Sequence, residues 1–61
     1  MITVYYVYKR LDGNWYETSK TFSNKLKCLR FLYAISKKGI ITSWECDDPY
    51  DNQWLNQNFR G

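Results

Sequence analysis

Tyr8-Lys9-Arg10-Leu11-Asp12-Gly13-Asn14-Trp15-Tyr16 sets an Asp-Gly pair between two runs rich in β-branched and aromatic residues. That combination is a strong hairpin signal, because a two-residue type I′ turn needs positive φ at both central positions and Asp-Gly tolerates it. Ile2–Arg10 and Trp15 to about Thr21 then read as the two arms. With Asp12-Gly13 as the loop, Arg10 is expected opposite Trp15, Tyr8 opposite Glu17 and Lys9 opposite Tyr16. Strand alternation puts Ile2, Val4, Tyr6, Tyr8 and Trp15 on one face. This more apolar set is expected to face the core. Tyr5, Val7, Lys9, Tyr16, Thr18 and Lys20 take the other face.

Downstream the period changes from two to 3.6. Cys28, Phe31, Leu32 and Ile35 recur at i, i+3, i+4 and i+7, the core stripe of a helix, with Leu29 flanking it. The pattern predicts one long helix over 24–38, with Ser23 as its N-cap and Gly39 as its C-cap glycine. Ile40–Cys46 reads as a third strand. Asp48-Pro49 then signals a new helix, since Asp caps and Pro fits the first helical position. A short C-terminal helix is expected over 49–58. Tyr50, Trp54 and Leu55 would form its docking face, and Asn52, Gln53, Asn56, Gln57 and Asn58 would face water.

The expected architecture is a single α+β domain over 1–61. It has two layers, a three-stranded sheet on one long helix, in the order β-β-α-β-α. A chain of 61 residues buries only about 60% of the surface that its unfolded form exposes. Twelve aromatic residues are therefore more than one small core can hide, and some are expected at the surface. The N-terminus Met1-Ile2-Thr3-Val4 lacks the features of a signal peptide, and no apolar run is long enough to span a membrane. A soluble, cytoplasmic protein without membrane contact is expected.

Composition narrows the chemistry. No histidine is present, so the common nucleophile–histidine arrangements are absent. Cys28 and Cys46 have no CxxC spacing, which makes two reduced core cysteines the expectation rather than a zinc site. Asp47 and Asp48 adjoin on a surface turn, which lacks the low-dielectric setting that splits paired carboxylates for catalysis. No EF-hand spacing and no phosphate-cradling glycine loop occurs. No enzyme activity, cofactor, metal or small-molecule substrate is expected.

Binding remains, and two surfaces compete for it. Leu26, Arg30, Tyr33 and Lys37 align on the helix face opposite Cys28 and Ile35. Tyr and Arg are enriched at protein interfaces, so this set, with Tyr50, Trp54 and Leu55, is a candidate protein-binding surface. The expected function is that of a small protein-interaction module that binds another protein or itself as an oligomer. The alternative is nucleic-acid binding. Residues 1–44 carry a net charge of +6 and residues 45–61 a net −3. Tyr5 and Tyr16 flanked by Lys9 and Lys20 could stack bases and pair phosphates on one sheet face. The acidic-aromatic stretch Trp44-Glu45-Cys46-Asp47-Asp48-Pro49-Tyr50-Asp51 could instead mimic DNA phosphates on a basic partner, or simply cap a helix and pair with the basic body. A structural role as a symmetric dimer or minor virion component is a third possibility.

The density of Tyr, Trp, Lys and Asn resembles, in style, the small accessory proteins of bacteriophages that infect Gram-positive bacteria. The Lys-rich segment after Thr21-Phe22-Ser23 and the Trp44–Pro49 stretch carry that resemblance. It implies a factor that acts in the host cytoplasm on a host or phage protein, and it assigns no residue a role. The hairpin-then-helix portion also resembles the arm-type DNA-binding domains of phage integrases. Those place three strands before the helix, whereas here the third follows it.

Overall fold

A computed structural model describes residues 1–60. The elements run β1 (Ile2–Arg10), β2 (Trp15–Phe22), α1 (Lys25–Ser36), β3 (Gly39–Cys46) and α2 (Pro49–Asn58). The order β-β-α-β-α is the expected one. The single long helix is not found. α1 has 12 residues and α2 has 10, and both contribute side chains to one core over the same face of the sheet. Neither helix is long and apolar enough to cross a membrane.

The hairpin forms with a different turn. Gly13 N–H donates to the Arg10 carbonyl at 2.9 Å, and Arg10 N–H donates to the Asn14 carbonyl at 2.9 Å. The loop is therefore the three residues Leu11-Asp12-Gly13. Gly13 has φ +92°, the only positive φ among the described residues, so a type I′ turn is ruled out. A type I turn closed by a left-handed glycine is the usual three-residue solution. Asp12 favours it locally: its carboxylate accepts from Asn14 N–H at 3.0 Å and lies 3.8 Å from Arg10.

The extra loop residue moves the register by one. Lys9 faces Trp15, Tyr8 faces Tyr16, Tyr6 faces Thr18 and Val4 faces Lys20. A one-residue slip turns every side chain of the second arm to the other face. Ile2, Val4 and Tyr6 are buried as expected. Their face, however, now includes Tyr16 and Lys20, while Trp15 shares the outer face with Tyr5 and Lys9.

The sheet order is β2-β1-β3, antiparallel throughout. Val7 faces Ser43 and Tyr8 faces Ile41, which leaves Thr42 as a bulge. Without that bulge, Ile41 and Trp44 would point to opposite faces. With it, both reach the core cluster. Gly39 is not a helix cap but the first residue of β3, opposite Arg10. Its role is close approach, since a Cβ there would collide with the Lys9 carbonyl and lie 2.9 Å from the Tyr8 ring.

α1 starts one residue later than expected. Asn24, not Ser23, is the N-cap, and its side chain accepts from Lys27 N–H at 2.9 Å. The expected core stripe is observed: Cys28 and Leu32 are buried, while Phe31, Ile35 and Leu29 pack against them. α2 has the expected bounds, with the Asp48 carboxylate accepting from Tyr50 N–H at 2.8 Å and Asp51 N–H at 3.3 Å.

Two amides expected in water instead fasten α2 to β3. Asn52 Oδ1 accepts from Cys46 N–H at 3.0 Å, and Asn56 Oδ1 accepts from the Trp44 indole N–H at 2.8 Å. Phe59, just past α2, is buried between Tyr33 and Trp44, its ring edge-on to both at 4.9 Å. The buried side chains thus come from β1, β3, the two helices and Phe59. β2 contributes none, and only Phe22 of that strand packs against the core.

Candidate functional site

Leu26 lies at the start of α1, on the side turned away from Cys28 and Leu32. It is 58% exposed, more than any other large apolar side chain of the helix. Across from it, on α2, the half-buried Trp54 carries Lys25 over its ring, with Nζ 5.6 Å from the centroid. Lys25 is also 3.6 Å from Asp51, so one cation ties the first turn of α1 to the first turn of α2. Leu26, Trp54, Met1 and Ile2 line a shallow, mainly apolar depression at this end of the fold, with Asn24, Lys25 and Asp51 at its edge. Residues from two separate sequence candidates, one per helix, are thereby brought together.

Other candidates are placed differently. Arg30 on α1 and Lys37 just past its end are exposed and extend the surface with positive charge. Lys25–Ser36 contains no acid, so its only charges are cations. Tyr33 is partly committed to the fold, because its hydroxyl donates to the Asn58 carbonyl at 2.8 Å and its ring packs on Phe59. Tyr50 is 81% exposed and docks on nothing, in contrast to the docking face expected of it. Leu55 is fully buried in the core and offers no surface to a partner.

The basic aromatic sheet face does not exist as one surface. Tyr5 and Lys9 lie on the outer face, whereas Tyr16 and Lys20 lie on the helix side. Lys20 Nζ sits 4.6 Å over the Phe31 ring of α1. Tyr16 stacks near the Arg10 guanidinium, 6.0 Å from its ring centroid. On the outer face, Lys9 lies over Trp15 at 5.4 Å. Tyr5 stands beside Glu45 in the register, and Val7 beside Glu17. Two glutamates at the centre of a sheet face repel phosphate, and the slip in register removes two of the four expected residues from this face and brings Glu17 onto it near Glu45. Trp15 is the outer-face aromatic that the sequence reading put inside.

The acidic segment is used by the fold. Asp48 caps α2, Asp51 pairs with Lys25, and Asp47 Oδ2 accepts from the Tyr5 hydroxyl at 3.3 Å. That hydrogen bond to a carboxylate, then the negative charge itself, holds the Tyr5 pKa above its ordinary value. Among the described residues, no group of three or more potential ligands is placed to hold a metal ion.

Cys28 and Cys46 are buried as free thiols. Burial raises both pKa values, and Cys46 is pushed up to about 11, first by burial and then by Cys28 and the nearby aspartates. A thiol with a raised folded pKa favours the folded state only while it is protonated. Below the ordinary value of 9.0 its contribution is complete, because folded and unfolded chains are both protonated. Between 9 and about 11 the unfolded chain ionises first, and stability falls. Urea midpoints are therefore expected to drop from about pH 8 to about pH 10.5, and Cys46→Ala should flatten that slope. An equal slope in the variant would assign the loss to other groups.

Comparison with family models, curated proteins and solved structures gives no match.

Proposed function

We propose that this chain is a protein-interaction module whose contact surface is the outward side of α1 with the adjoining Trp54. The observation that carries the reading is the pairing of Leu26 with Trp54 in one apolar depression beside a helix that bears only cations. The rim itself holds the paired Lys25 and Asp51, and the unpaired positive charge lies along α1 at Lys27 and Arg30, so the surface suits a partner that offers an apolar side chain with carboxylates to one side of it. Aromatic and Arg anchors at the centre of a patch dominate such contacts, and the rim charges set orientation and encounter rate. The resemblance in style to phage accessory proteins supports the same class of function.

The test compares wild type with Leu26→Asp/Arg30→Glu in affinity purification from lysate, each bait checked by a melting curve. Both residues are exposed, so the double variant should fold with nearly unchanged stability. A partner recovered with wild type and lost with the variant is the expected result. Equal recovery with both baits would remove the α1 face from consideration. A recovered partner that is nucleic acid, lost as salt is raised, would replace the protein reading with the nucleic-acid one.

A further inference from the structure

The two edges of the sheet are finished differently. β3 carries the Thr42 bulge, and its outward Cys46 N–H is occupied by the Asn52 side chain. Bulges and covering groups are how sheets prevent edge-to-edge pairing. β2 has neither device. Its register with β1 runs without interruption from Trp15 to Phe22, and the strand contains no proline. Its one lysine, Lys20, is an inward-pointing charge of the kind that can guard an edge, but its ammonium lies over the Phe31 ring on the helix side.

The ladder identifies the free groups. Arg10 N–H donates to the Asn14 carbonyl, so this pair faces inward. Antiparallel alternation then turns the N–H and C=O of Tyr16, Thr18 and Lys20 toward β1. It turns those of Trp15, Glu17, Ser19 and Thr21 outward. These four residues are centred on Thr18.

We propose that β2 is a self-pairing edge: a second copy of this chain adds its own β2 antiparallel, centred on Thr18, to form one six-stranded sheet. A two-fold axis normal to the sheet puts Thr18 opposite Thr18 and uses all four outward residues on each copy. Glu17 falls opposite Ser19 of the second copy, and Trp15 opposite Thr21. On the helix side, Tyr16 of the second copy arrives opposite Lys20. The Lys20 ammonium, already on Phe31, then meets a second ring. No like charges stand directly opposite each other, which is the condition that cross-strand pairing requires. Another protein's strand could use the same hydrogen bonds, but the Tyr16–Lys20 match is supplied by this chain's own sequence. The edge is distinct from the Leu26–Trp54 depression, so each copy in the pair would keep that surface.

Sedimentation velocity on the full chain, from about 10 µM to about 1 mM, covers the affinities that a pure strand-edge contact reaches. Wild type should shift from monomer to dimer with concentration. Thr18→Lys and Thr18→Glu each put like charges opposite one another, and each should weaken dimerisation at least about tenfold. An equimolar mixture of the two variants should restore it, because an ammonium on one copy then faces a carboxylate on the other. Ser19→Pro, which removes an outward N–H and spares the β1 ladder, should also be monomeric. Wild type that stays monomeric at the highest concentration overturns the proposal. So does a dimer that persists in both single variants, or a mixture that fails to restore pairing.

Discussion

Phe59→Ala is expected to remove a large share of the chain's folding stability. The residue lies beyond the last helix, two positions from the end of the sequence, where a substitution would ordinarily be harmless. Here it is 1% exposed and fills the space between Tyr33 on α1 and Trp44 on β3. Truncating a buried phenylalanine costs about 3–5 kcal/mol through lost transfer energy and the cavity left behind. A domain of this length holds only roughly 3–9 kcal/mol in total, at about 0.05–0.15 kcal/mol per residue. One side chain therefore accounts for a large share of what keeps the chain folded. Thermal unfolding followed by near-ultraviolet circular dichroism should show a fall in Tm of roughly 15 °C or more, or no transition at all. Arg60→Ala, exposed and adjacent, is the control and should melt with wild type. A Phe59→Ala protein that melts within a few degrees of wild type would mean that the C-terminal segment is not part of the core.

Gly39→Ala is expected to have the next largest effect, and Gly39→Val a greater one. The first atom of any side chain at this position meets the Lys9 backbone carbonyl and the Tyr8 ring. A flexible neighbour could swing aside, but a carbonyl inside a ladder cannot move without breaking the pairing of Arg10 with Gly39. Overpacking of this kind costs about 1–3 kcal/mol, and the rigid backbone neighbour puts Gly39→Ala toward the upper part of that range. The urea midpoint should fall for Ala and fall further for Val. Wild-type stability in Gly39→Ala would show that β3 begins after residue 39. A helix-cap glycine would behave differently, because its requirement is for positive φ, and Gly39 does not have it.

Much of the architecture was legible in the residues because it is encoded locally. The switch from period two to period 3.6 marks β1 and α1. Asp48-Pro49 carries its own capping chemistry, which is why α2 begins where expected. The burial of Cys28 and Leu32 follows from helical spacing, and that of Ile2 and Val4 from strand alternation.

The candidate site was legible only in pieces. Leu26 and Trp54 are 28 positions apart in the chain, and nothing in their spacing announces that two helices will set them side by side. The Asp-Gly pair was compatible with two turns one residue apart in register. Asp12's contacts with Asn14 N–H and Arg10 belong to the turn that formed, and its register places Tyr16 and Lys20 on the helix side.

Local propensity and periodicity, acting within a few residues, thus determined the elements, their order and the inward stripes of β1 and α1. Strand order, the Thr42 bulge, the burial of Phe59 and the open β2 edge arose from tertiary packing. They depend on contacts between residues distant in sequence, whose free energy exists only once the chain has folded and brought them together.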